Sequence, residues 1–235
     1  MRVAFLADIH ANLGALETAL AEIGKQAVDG IFHLGNVVGF GGEPFQVVAR
    51  LMAAGIEGVR GNHEDRVLGC DEVRVGATRN GSQQVAERVC EWTRGQLTPK
   101  QMSWLEHLPF TRQIKTGRLT IALFNATPIS MNLPPHEGQS DDFFREMADY
   151  TGADVHVFAH THHPFWRVVD GRWFVNAGSV GLSEDTGREV SYALVDLNGG
   201  AAVRIVRLPY DHEKAAGVLR QAGLPSLPGI LEPVS

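Results

Sequence analysis

The chain has 235 residues, 44% hydrophobic and 20% charged, with a formal net charge of −6, enough to bury the core of one domain or of two closely fused lobes. No dense Lys/Arg run is interleaved with aromatics, which argues against bulk nucleic acid as a partner, and no apolar run approaches the ~20 residues of a membrane span. Cys70 and Cys90 are the only cysteines, are far apart and lack metal-type spacing, so free thiols, a reducing compartment and, with no leader-like segment ahead of the first strand, a cytoplasmic location are expected.

Val3 to Leu6 reads as a short buried strand, and Leu13, Leu16, Leu20 and Ile23 then recur at helical spacing behind Asn12 as the cap. A second strand, Ile31 to Leu34, runs into a glycine-rich loop ending at Gly42 and a helix opened by Pro44. The third strand, Ile56 to Val59, delivers Gly61-Asn62-His63-Glu64. From Thr78 to Leu108 the pattern is helical with a break near Gly95, and Thr98-Pro99-Lys100-Gln101 matches a capping box; residues 78–108 are expected to be a helical cap or insertion within a single 1–235 domain.

Strands Phe110 to Lys115 and Leu119 to Phe124 flank a hairpin turn at Thr116-Gly117, and the second delivers Asn125. A helix near Asp141 to Tyr150 leads to the strand Val155 to Ala159 and the cluster His160-Thr161-His162. Four alternating segments follow, Phe165 to Val169, Trp173 to Val175, Tyr192 to Asp196 and Val203 to Leu208, with turns at Asp170-Gly171 and Asn198-Gly199. The Pro-rich tail after Leu224 is a candidate for disorder. Strand and helix alternate in the first half and strands dominate the second, which predicts two mixed sheets in a four-layer α-β-β-α sandwich.

Asp8 and His10, Asn36, Asn62 with His63, Asn125, and His160 with His162 all follow strand-like runs. They can therefore meet at one carboxyl-end sheet edge, where open α/β sheets place their ligands. Singly, each is compatible with a turn or a helix cap. Together, a carboxylate, imidazoles and amides without thiolates suit one or two divalent transition metals, Mn, Fe, Co or Zn, rather than calcium or a structural zinc knot.

The chain resembles the calcineurin-like metallophosphoesterases of the small bacterial and archaeal phosphodiesterase type. The matching stretches are Leu6 to Leu13, His33 to Gly39, Gly61 to Glu64, His160 to Pro164, Asn176 to Gly181 and Pro209-Tyr210-Asp211. The resemblance implies that Asp8, His10 and His162 bind one metal, that Asn62, His160 and position 125 bind another, and that position 36 bridges both. It also implies that His63 acts as the acid or orients phosphate, and that a metal-bound hydroxide attacks a small phosphodiester or nucleotide in line.

Two positions depart from that pattern. The family has aspartate at 36 and begins a histidine-glycine motif at 125; here both are asparagine. Two divalent cations about 3.7 Å apart repel by roughly 18 kcal/mol at an effective dielectric of 20. A site with two carboxylates and a hydroxide is left near about +1, whereas Asp8 alone with a hydroxide leaves about +2. The Asp8-His10-His162 site is therefore expected to fill first, with the second weak or empty; the alternative is that the amides bind well enough, as Asn62 does in active relatives.

His33 is expected beside the site or in the core, and His136 is a loop histidine that could stand in at position 125. Gly39-Phe40-Gly41-Gly42 lacks the lysine of a P-loop and reads as a turn serving the metal edge. The four tryptophans read as packing. The function in competition with hydrolysis is a catalytically impaired protein of the same fold that binds a nucleotide or a protein partner. Oligomeric state is not encoded in any motif.

Overall fold

Alternation along β1 (Arg2–Leu6) divides its side chains between two cores: Val3 and Phe5 face one, Ala4 and Leu6 the other. In the computed structural model, which describes residues 1–69, 81–183 and 188–224, with 81–86 as backbone alone, β1 is the centre of a five-stranded sheet. It pairs in parallel with β2 (Gly30–His33), which pairs with β3 (Glu57–Gly58). On its other side it pairs antiparallel with β9 (Glu189–Asp196), itself bordered by β10 (Ala202–Pro209). The second sheet runs in the order β4-β5-β6-β8-β7. Its parallel centre is β5 (Leu119–Phe124), β6 (Val155–Phe158) and β8 (Arg172–Asn176). Antiparallel β4 (Thr111–Thr116) and β7 (Phe165–Val169) form its edges.

The sheets stack through Val3 and Phe5 on one side and Ile121, Leu123, Val155 and Val157 on the other. Burial of each such side chain contributes about 2 kcal/mol. The outward face of the first sheet is covered by α1 (Leu13–Ile23), α2 (Pro44–Ala54) and α5 (Pro99–Glu106) through Leu16, Val48 and Leu105. The outward face of the second meets α6 (Asp141–Thr151), where Phe144 and Met147 pack on Phe124, Phe158 and Phe174. The architecture is helix, sheet, sheet, helix, as the alternation predicts.

Local signals act as expected at several boundaries. Asn12 accepts from the Ala15 N–H at 3.1 Å, and Thr98 and Gln101 close a reciprocal capping box behind Pro99. Two helices carry no signal that the sequence reading used. α3 (Asn62–Leu68) begins on the polar Gly61-Asn62-His63-Glu64 run, and α7 (His212–Gln221) begins on Asp211, which accepts from Lys214 N. β3 is an edge strand of only two residues, shorter than the Ile56 to Val59 run that the sequence suggests. α4 (Gly81–Gln96) packs on α2 and α3; the expected helix start at Thr78 and the tail beyond Leu224 lie outside the described residues. No helix among the described residues is long and apolar enough to cross a membrane.

Candidate metal centre

The segments after β1, β2 and β6 turn out of extended geometry. Asp8, His10, Asn36, His160 and His162 all have φ between 47° and 72°, a left-handed region that disfavours side chains bearing Cβ and clusters at functional sites. Surrounding contacts hold these turns. Gly181 N and Ser179 Oγ both donate to Asp8 O, at 3.0 and 2.8 Å. A Cβ at Gly181 would lie 1.9 Å from Ile9 O, so the segment after β8 clamps the first loop at backbone contact.

The loop Gly39-Phe40-Gly41 does the same on the other side: Gly41 N donates to His10 O at 2.9 Å, and a Cβ at Gly39 would sit 2.3 Å from His63 Nδ1. Phe40 packs against both His10 and His63, with ring centroids 4.8 and 4.4 Å away. The expectation of a turn serving the site thus describes its place, but Phe40 itself carried no sequence signal.

Asp8, His10 and His162 are all buried, and one ligand atom from each lies within 4.8 Å of the others. His10 Nδ1 meets Val38 O at 3.3 Å; a carbonyl only accepts, so Nδ1 carries the proton and the Nε2 lone pair faces inward. That Nε2 stands 3.2 Å from His162 Nε2, while Asp8 Oδ1 lies 3.9 and 3.8 Å from the two nitrogens. Burial, then neighbouring His63 and His162, holds the His10 imidazole well below its ordinary pKa. Burial raises Asp8 to about 6 against the opposing pull of His160 and Asn36. Crowded acceptor atoms in a dry site fit a divalent cation.

The second half of the cluster is arranged differently. Asn36 Nδ2 donates to Asp8 Oδ1 at 2.9 Å and to Asn62 Oδ1 at 3.0 Å, while Asn36 Oδ1 accepts from the His63 N–H at 3.0 Å. Asn125 Oδ1 meets His160 Nδ1 at 3.2 Å, and Asn125 Nδ2 donates to Leu34 O at 2.8 Å. His160 N also donates to Asp8 Oδ2 at 2.9 Å. His63 is buried, its ring edge-on to that of His10 with centroids 4.8 Å apart. Its imidazole is held well below the ordinary range by burial and then by Arg66, so it is neutral near pH 7.

Glu64 received no role from the sequence. It is fully buried, its Oε2 accepting from Asn36 N and Gly61 N and its Oε1 from Val37 N and Val38 N, at 2.7 to 3.3 Å. One carboxylate thus ties the loops after β2 and β3 together; burial pushes it up to about 7 while the four N–H donors pull the other way. The available signal was its place as third residue of a helix opened by Gly61, the capping-box position.

Other histidines fall away from the centre. His33 packs at a tilt against Trp104 of the helical layer, ring centroids 5.6 Å apart, and His156 stacks on Phe174 while its two nitrogens meet Thr151 Oγ1 and Trp173 O. His136 is exposed; the His160 imidazole is lowered chiefly by burial, with His136 the least of the contributors. Trp166 is 48% exposed and stacked on Trp173, so it does not serve the core.

Residues 1–200 match the family model described as Calcineurin-like phosphoesterase superfamily domain. An uncharacterized protein of Methanocaldococcus jannaschii is 26% identical over 228 residues, 91% of this chain and 89% of that protein. A crystal structure of a metallophosphoesterase from Sphaerobacter thermophilus superposes with a TM-score of 0.77 at 26% identity, covering 96% of this chain and 95% of the other. A hypothetical protein from Pyrococcus horikoshii OT3 shares the fold with a TM-score of 0.85 at 19% identity, over 97% and 96% of the two chains.

Proposed function

The chain belongs to the calcineurin-like phosphoesterase superfamily, and from that premise we propose that it is a metal-dependent hydrolase of small phosphodiesters or nucleotides. The observation that carries this reading is the buried convergence of Asp8, His10 and His162, from the ends of β1 and β6 in the two sheets, on one point. These three residues would hold the cation, whose chemistry is Lewis-acid activation of water and neutralisation of phosphoryl charge.

The rest of the reaction falls to the protein's own groups. Asp8 takes the N–H of His160 and the amide of Asn36, which fix its carboxylate for the cation. His63, pressed between Phe40 and His10 with Nδ1 against Gly39, has Nε2 left to donate a hydrogen bond to a phosphoryl or departing oxygen. Phe40 keeps water from one side of that ring.

The test is Mn²⁺-dependent hydrolysis of bis(p-nitrophenyl) phosphate and p-nitrophenyl phosphate by the full chain beside Asp8→Ala. Turnover of the diester that Asp8→Ala abolishes is expected. Absence of turnover, with Mn²⁺ bound, favours the second reading, a nucleotide- or protein-binding relative, for which Asn36 and Asn125 are the specific observations.

A further inference from the structure

We propose that Asn36, at the position expected to bridge two metals, turns hydrogen-bond donors instead of lone pairs toward Asp8 and Asn62, so that this centre takes one metal ion. The inference deepens the metal-dependent reading above and rests on it. Its warrant is the orientation of one amide.

The His63 backbone N–H can only donate, and it points at Asn36 Oδ1 from 3.0 Å; Asp8 in its ionised form can only accept, and its Oδ1 lies 2.9 Å from Asn36 Nδ2. Reversing the amide sets oxygen against a carboxylate oxygen and NH2 against N–H, so the network admits one orientation. Asn36 therefore shows protons, not lone pairs, to the point between Asp8 Oδ1 and Asn62 Oδ1. A cation there would need the reverse.

The residue has little freedom to turn. Its backbone is left-handed at φ 52°, and the N–H groups of Asn36, Val37 and Val38 are held by buried Glu64. At the far side, both functional atoms of Asn125 are already taken, Oδ1 by His160 Nδ1 and Nδ2 by Leu34 O. Three side chains expected to surround a second metal, those of Asn36, Asn125 and Asn62, thus satisfy neighbours within the protein. By contrast the Nε2 atoms of His10 and His162 face one another at 3.2 Å, with His10 Nε2 unprotonated. One half of the cluster suits a cation and the other has an amide in its stead.

Mn²⁺ titration of the full chain, followed by calorimetry and by electron paramagnetic resonance, tests this without relying on turnover. The wild type is expected to take one equivalent and to give the six-line spectrum of an isolated ion. Asn36→Asp combined with Asn125→His is expected to take two and to give an exchange-coupled spectrum. Asn36→Asp alone should melt lower than wild type without metal, its new carboxylate facing that of Asp8, and regain the loss as metal is added. Two equivalents in the wild type with affinities within roughly tenfold of each other overturn the proposal and leave the hydrolase reading standing. Failure of the wild type to take up any Mn²⁺ overturns both.

Discussion

Asp8, His10 and His162 lie within a hydrogen bond or two of Asn36, Asn62, Asn125 and His160, where the strand ends of the two sheets meet, and all but the half-buried His160 are buried, yet the two groups solve opposite problems. The first brings a carboxylate and two imidazole nitrogens, His10 Nε2 among them unprotonated, within ligand reach of one point. The second matches each donor to an acceptor. Buried polar atoms must be satisfied by something, and the comparison teaches that the identity of that something is legible from hydrogen-bond direction alone.

The largest effect should come from the acceptor-rich group. Asp8→Ala or His162→Ala removes a ligand atom, and metal affinity is expected to fall by on the order of 100-fold or more, read by calorimetry, with hydrolysis reduced to background. Asn125→Ala should leave the first equivalent of metal bound at nearly wild-type affinity; an equal loss in both would erase the distinction between the groups.

The next effect concerns what holds the groups in register. Glu64→Ala strands four backbone N–H groups in the interior and should cost ~3 kcal/mol by urea unfolding. Metal affinity should drop with it, because Asn36 and Gly61 lose their shared anchor. Wild-type stability in this variant would mean the loops after β2 and β3 are held by something else.

A comparable effect at its acid limit separates the site from the scaffold. His156, buried far from the cluster, is lowered by burial to about 4. The unfolded chain binds a proton near pH 6.5 that the folded chain refuses until about 4. Stability is thus intact above 6.5, falls as pH drops through that window and levels off below it, by at most ~3 kcal/mol. His156→Phe should make this limb shallower in metal-free protein, the other buried histidines supplying the remainder, measured by melting between pH 4 and 7.

The smallest effect is at Phe40. Phe40→Ala should lower kcat by about tenfold through a looser His63 with KM little changed, and Phe40→Tyr should restore most of it. A change in KM alone would place Phe40 in substrate contact instead.

Much of this was readable from the chain. The apolar runs Val3 to Leu6 and Leu119 to Phe124 read as buried strands, and the structure places Phe5 and Leu123 in the core between the sheets and Leu6 and Phe124 in two outer ones. Asp8, His10 and His162 were nameable because carboxylate and imidazole types at strand ends are chemically restrictive. Asn36 was nameable as a departure, but its orientation was not, since an amide carries a donor and an acceptor and only the neighbours decide which way it faces. Glu64 stayed hidden because its partners are backbone N–H groups, which leave no residue-type signature. α3 was missed for a related reason: it opens on Asn62 and His63, chosen for the site rather than for helix periodicity.

β1, the first strand in the sequence, is flanked by β2 on one side and by β9 on the other, and β9 begins only at Glu189. On a ribosome, Asp8 therefore emerges long before Ser179 and Gly181, which grip its carbonyl, and before the strand that closes its sheet. Such long-range pairing is slow, and until it completes the β1 flank is an open edge that other nascent chains can pair with. A chain released short of β9 would keep that edge open and be prone to aggregate.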